Sequence, residues 1–160
     1  MLTELSRRGF CVAPESARNI IRTRLAAGLS PRPDPVAFAH EILRADIETY
    51  QSIGATSSPA FFDRGILDAL YMLSEQHAIA AGDLARYVRD FPYNRVVLLL
   101  PPWQAIYDTD SERDQTFEDA VDVYEGMKAW YLQWGYDVLD VPRSNVDERI
   151  SFILNTITRR

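Results

Sequence analysis

The chain is short of several things. It has one cysteine, Cys11, which excludes an intrachain disulfide framework and any zinc site built on cysteine. Its two histidines, His40 and His77, lie far apart and leave little from which to build a histidine metal site. No apolar run approaches the roughly 18 residues of a membrane span. The longest run, Val96 to Leu100, has the length of a strand. The opening MLTELSRRGF carries an arginine pair where a signal peptide needs its apolar region, so no export leader is expected. Lysine is nearly absent: of 17 basic residues, only Lys128 is not arginine. The seven glycines, at 9, 28, 54, 65, 82, 126 and 135, nowhere take the GxxxxGK[ST] spacing that cradles phosphates. No GxGxxG, GxSxG or HExxH is present either.

What remains has the proportions of an ordinary globular protein. The 160 residues are 47% hydrophobic and 25% charged, enough for one α/β domain over residues 1–160. A net charge of −6 argues against general nucleic-acid binding. With no membrane segment and no leader, a cytoplasmic location is expected. The charge is uneven: residues 1–45 hold seven basic and four acidic side chains, and residues 46–160 hold ten and nineteen. Arginine offers a planar fork for phosphate or carboxylate, which lysine does not. A plain surface bias toward arginine accounts for the same counts.

Apolar periodicity and breakers divide the chain into alternating segments. Leu2–Arg8 reads as a helix end closed by Gly9, and Phe10–Ala13 as a short strand. Glu15–Ala27 reads as a helix stopped by Gly28. The prolines of Ser30–Pro35 make a loop. Asp34 then caps a helix that has Pro35 at its first position and runs to about Ile53. Pro59–Phe62 is a second strand, followed by helices over Ile66 to about Ala80 and Asp83 to Phe91. Arg95–Leu100 is continuous and apolar, a strand fit for burial on both faces. A long helix follows from about Gln115 to Trp134, then a strand over Tyr136–Val141. Ser144 with Asp147 reads as the capping box of the last helix. Strands separated by helices predict a parallel α/β sheet with right-handed crossovers.

Ligands of open α/β sheets bind beyond the carboxyl ends of the strands. The polar residues there are Glu15, Ser16 and Arg18 after the first strand, Asp63 and Arg64 after the second, and Arg143 and Ser144 after the fourth. Carboxylates beside arginines suit Mg2+ and phosphate chemistry. Each has a plainer reading. Asp63 could be a helix N-cap, with Gly65 easing the turn. Glu15 and Arg18, one helical turn apart, could be a surface pair. Arg113, amid Asp108, Asp110, Glu112 and Asp114, could lie in a solvated helix entry or on a lid that brings an arginine to phosphate. Trp103, Tyr107, Trp130 and Trp134 fit packing better than a base-stacking platform.

In order along the chain, RRGF, VAPESAR, FFDRG, RVVLLLPPW, IYDTDSERDQTFEDA and GYDVLDVP resemble the small AAA-type P-loop ATPases of kinase-like fold. Those proteins are similar to nicotinamide riboside kinases and to thymidylate and deoxynucleoside kinases. The resemblance implies a three-layer α/β fold on a parallel sheet of about four strands. The family's first, central strand and its phosphate loop have no counterpart, because the chain begins inside the helix which that loop feeds. A gap is therefore expected between Phe61-Phe62 and Val96–Leu100. A start codon assigned too far downstream is the favoured explanation, beside a truncated homologue or strands that close the gap. The resemblance further implies ATP and Mg2+ as cofactors, with Asp63 as the Mg2+-associated acid. Arg64 would face the acceptor or phosphate, Glu15 and Arg18 would line the second-substrate side, and Arg113 would be the lid arginine. The implied partners are a nucleotide and a small hydroxyl compound as phosphate acceptor, with neither nucleic acid nor membrane.

Two functions follow as expectations. One is Mg2+-dependent ATP hydrolysis or small-molecule phosphorylation. The other is a non-catalytic remnant that binds a ligand or a protein through the same edge. An α/β phosphohydrolase is disfavoured, because Asp63 lacks a second aspartate two residues on.

Overall fold

A computed structural model of the chain describes residues 1–31, 33–54, 58–106 and 116–158. The class is α/β, as the alternating pattern predicts. The chain divides into two compact units, Leu2–Pro92 and Tyr93 onward.

In the first unit, α1 (Leu2–Arg7) is closed by Gly9, whose φ of 88° a side chain would strain. The Phe10 amide donates back to Leu5 O at 3.1 Å, and Leu5 is buried beneath it. The chain then enters β1 (Cys11–Ala13), α2 (Ser16–Ala26) and α3 (Pro35–Ile53). Asp34 caps α3 as expected, its Oδ2 accepting from the Val36 and Ala37 amides at 3.1 Å each. Next come β2 (Ala60–Phe62), α4 (Ile66–Glu75) and α5 (Ala81–Asp90). Strand β2 lies parallel to β1, with Cys11 opposite Ala60 and Ala13 opposite Phe62. Ile66, Leu67, Ala69, Leu70 and Leu73 of α4 are all buried, and α4 packs on α3. Beside them Phe38, Ala39, Ile42 and Leu43 of α3 complete the core.

The helix expected to reach Ala80 ends at Glu75. His77 takes φ 50°, and the Ala78 amide donates to Leu73 O at 2.9 Å, closing the helix through a left-handed residue. Propensity gives no warning of that turn, because a histidine occupies the position where glycine is usual. Helix α5 is tied back at its far end: the Tyr50 hydroxyl donates to Pro92 O at 2.7 Å, and its ring meets Phe91 edge-on.

The second unit contains β3 (Val96–Leu99), a 3₁₀ turn (Gln104–Ile106), α6 (Phe117–Gln133), β4 (Asp137–Asp140) and α7 (Val146–Thr158). Strands β3 and β4 are parallel, with Val96 opposite Asp137 and Leu99 opposite Asp140. Met127, Trp130, Tyr136, Val141, Ile150 and Ile153 are its buried apolar residues. Thr116 caps α6, its hydroxyl accepting from the Asp119 amide while Asp119 accepts from the Thr116 amide. The cap expected at Ser144 is not there. Asn145 Oδ1 accepts from the Glu148 amide at 2.9 Å and α7 begins at Val146, so the cap is one residue later.

The four strands do not form one sheet. They pair as β1-β2 and β3-β4, two parallel sheets of two strands each. A two-stranded sheet leaves each strand one unpaired edge. Val96–Leu99 is only half-buried, and Leu100 is exposed, against the expectation of burial on both faces. Among the described residues, no helix is long and apolar enough to cross a membrane.

Candidate functional site

Parallel pairing in register sends β1 and β2 out at the same edge of their sheet. The ladder runs one step past the strands, for the Asp63 amide donates to Ala13 O at 2.8 Å. The residues that follow each strand therefore meet, although nearly fifty residues of chain separate them. Glu15 stands immediately ahead of α2 and uses both carboxylate oxygens. Its Oε2 accepts from Arg18 Nε at 3.1 Å, and its Oε1 pairs with Arg64 Nε at 3.2 Å. Of the five residues expected to carry chemistry, Glu15, Arg18, Asp63 and Arg64 are thus brought to one edge. Arg113 lies outside the described residues, as do Tyr107 and the acidic residues around them.

Asp63 is not a helix cap. Helix α4 starts at Ile66, and the Gly65 amide ahead of it is taken by Asp68 Oδ2 at 2.9 Å. In place of the capping alternative, Asp63 is a residue whose main chain is anchored to the end of the sheet. Partial withdrawal of that carboxyl from water raises its pKa above the ordinary value, and the negative charge of Glu15 adds to the effect. Arg64 and Arg18 oppose it. Arg64 itself adopts φ 67°, a conformation that costs a non-glycine residue about 1–2 kcal/mol. Such strain concentrates at working sites, where the surroundings hold it in place.

Sequence reasoning missed a second carboxylate. Asp46 on α3 is only 8% exposed, and the Ser16 hydroxyl donates to its Oδ1 at 2.5 Å. Burial pushes its pKa up to about 6; the Ser16 hydrogen bond pulls down, Asp68 and Glu15 push up, and Arg64 pulls down. A signal was present. The buried residues of α3 run Phe38, Ala39, Ile42, Leu43 and then Asp46, so an acid occupies the next place in an apolar stripe. Beside this hydrogen bond, Ser16, Asn19, Glu48, Thr49 and Ser52, with Ile20 and Ala45, line an open groove of about 360 Å³ between α2 and α3.

In the second unit the sole lysine is engaged. Lys128 Nζ donates to Asp140 Oδ2 at 2.9 Å and to the Tyr124 hydroxyl at 3.2 Å, while that hydroxyl donates to Asp140 Oδ1 at 2.6 Å. The hydrogen bonds to Asp140 and Tyr124 raise the Lys128 pKa, and those from Tyr124 and Lys128 lower that of Asp140. Trp130 is buried and meets Trp134 edge-to-face at 5.7 Å, a packing arrangement.

Among the described residues, no group of three or more His, Cys, Asp or Glu side chains could hold a metal ion. Mg2+ commonly keeps its waters and binds through one or two carboxylates together with substrate phosphates. Asp63, penalised for its charge by burial and by Glu15, offers one such carboxylate. The residues present therefore fit Mg2+ that arrives on a nucleotide, and not a cage made by protein alone.

The family model described as AAA domain matches residues 1–149. No curated protein and no solved structure matches the chain.

Proposed function

The chain belongs to the AAA-domain family, a nucleotide-binding class of P-loop ATPase type, and on that premise we propose that it serves Mg2+-dependent phosphoryl transfer or ATP hydrolysis. The observation that carries the reading is the position of Asp63. The residue stands just past the end of a parallel strand, its amide in the ladder, beside two arginines that share one glutamate.

Each residue has a part. Asp63 would hold the Mg2+ side of a nucleotide. Mg2+, when bound, neutralises charge on phosphate oxygens. Arg64 would face the phosphate or the acceptor, its guanidinium oriented by Glu15. Arg18, held by the other oxygen of Glu15, would line the second-substrate side, where a small hydroxyl compound would sit. Arg113 would act as the lid arginine. Arginine forks suit directed contacts with phosphate oxygens.

A second reading is a module that binds a ligand or a protein without turnover. It is favoured by Lys128: the chain's only lysine is tied to Asp140 and Tyr124, and no GxxxxGK[ST] occurs in these residues. Calorimetry with a phosphate assay separates the two. Mg-ATP is titrated into this chain, and into a form carrying any in-frame residues that the genomic DNA encodes ahead of Met1. Saturable binding with Mg2+-dependent release or transfer of phosphate in either form supports phosphoryl chemistry, and saturable binding without it gives the ligand-binding module. No heat of binding in both forms gives the non-catalytic reading.

A further inference from the structure

Asp46 has no part in the proposed chemistry, yet the fold keeps it in a costly place. A carboxylate in an apolar stripe loses hydration, and an apolar side chain of similar size would pack there at less cost. What the charge holds is the start of α2. That helix opens on Glu15, whose side chain makes no capping hydrogen bond, because Arg18 and Arg64 occupy both of its oxygens. No conventional cap fixes the first turn. The Ser16 hydroxyl, donating to Asp46 Oδ1, links that turn to α3. Ser16 and Asp46 are both buried, so the link is shielded from water.

We infer that Asp46 is a positioning residue: by accepting a hydrogen bond from the Ser16 hydroxyl it pins the first turn of α2 and so sets where Glu15 holds Arg18 and Arg64. The inference rests on the reading of those two arginines as the anion-facing side of the site. The path is short, from α3 through Ser16 to the adjacent Glu15 and across its two oxygens to the guanidiniums.

The charged groups acting on Asp46 come from each element around it. They are Glu15 ahead of α2, Arg64 between β2 and α4, and Asp68 on α4. When Asp46 gains a proton it becomes a donor on one oxygen, and the Ser16 hydroxyl no longer meets a full carboxylate charge. The clamp weakens accordingly as pH falls through about 6.

Nitrogen-15 NMR of the arginine Nε–H groups between pH 5 and 8 tests this on the protein without nucleotide. The Arg18 and Arg64 resonances, assigned with Arg18→Lys and Arg64→Lys, are expected to shift together with one midpoint. That midpoint should coincide with the Asp46 carboxyl titration followed by carbon-13. Asp46→Asn should remove the transition from both arginines, and Ser16→Ala should remove it with Asp46 still titrating. Asp63→Asn should leave it in place. Arginine resonances that stay fixed from pH 5 to 8, or a transition that survives both Asp46→Asn and Ser16→Ala, would overturn the inference. If either variant fails to fold, the other and the unsubstituted titration still decide. No nucleotide is needed, so a negative Mg-ATP calorimetry result and a negative result here are separate outcomes.

Discussion

Arg64 reaches Glu15 from a left-handed backbone: its φ is 67°, and its Nε lies 3.2 Å from Glu15 Oε1. The two residues follow different strands, and parallel register alone brings them together. An exposed ion pair contributes at most about 1 kcal/mol, which does not exceed the roughly 1–2 kcal/mol of the left-handed conformation. The pair is therefore poorly explained as a stabilising device and well explained as a way of aiming a guanidinium.

The strain predicts an ordering of variants. Arg64→Gly and Arg64→Ala both lose the guanidinium, but only glycine accepts the backbone freely. Arg64→Gly should be the more stable by about 1 kcal/mol in urea unfolding. Both should bind an anionic ligand more weakly than the unsubstituted chain. An alanine variant as stable as the glycine variant would remove the strain argument.

Asp46 makes stability depend on pH in an unusual direction. Its folded pKa of about 6 lies above the ordinary 3.8, so the folded state binds the proton more tightly than the unfolded state does. The associated stability is complete below the ordinary value and is lost as pH rises through about 6. The loss is on the order of 3 kcal/mol, at about 1.4 kcal/mol for each pH unit of separation. Asp46→Asn should abolish this slope, so its stability relative to the unsubstituted chain is higher at pH 7 than at pH 4.5. Urea titrations at the two pH values measure the difference.

Asp63→Asn removes a carboxylate that burial and Glu15 already disfavour. Thermal unfolding should move little, or upward, while any Mg2+-dependent binding or turnover falls steeply. A large drop in stability with binding intact would make Asp63 a structural residue.

Helix α7 offers a local check. Asn145 accepts from the Glu148 amide, whereas the Ser144 hydroxyl has no hydrogen-bond partner among the described residues. Asn145→Ala should cost about 1 kcal/mol, and Ser144→Ala should cost much less. The reverse order would restore the cap to Ser144.

These cases separate what the sequence reveals from what it hides. The Asp34-Pro35 start of α3 was legible because cap and first turn are neighbours in the chain. The grouping of Glu15, Arg18, Asp63 and Arg64 was legible because strand ends in a parallel sheet are where polar residues gather. The choice between Ser144 and Asn145 was not, since both are good caps and only geometry selects one. Nor was the end of α4 at Glu75, which depends on a histidine taking φ 50°. The sheet of about four strands is, among the described residues, two parallel pairs, with no pairing between β2 and β3, where a gap was expected. Asp46 was legible only as an acid in an apolar stripe. Its meaning comes from Ser16, thirty residues away.

The central claim is that the edge formed by Glu15, Arg18, Asp63 and Arg64 receives a Mg2+-nucleotide. An amide NMR titration of the isotope-labelled protein with Mg-ATP tests it most directly. The account predicts saturable shifts at residues 15–18 and 63–65 that disappear in Asp63→Asn. Shifts confined to other residues, or none at saturating Mg-ATP, would contradict it.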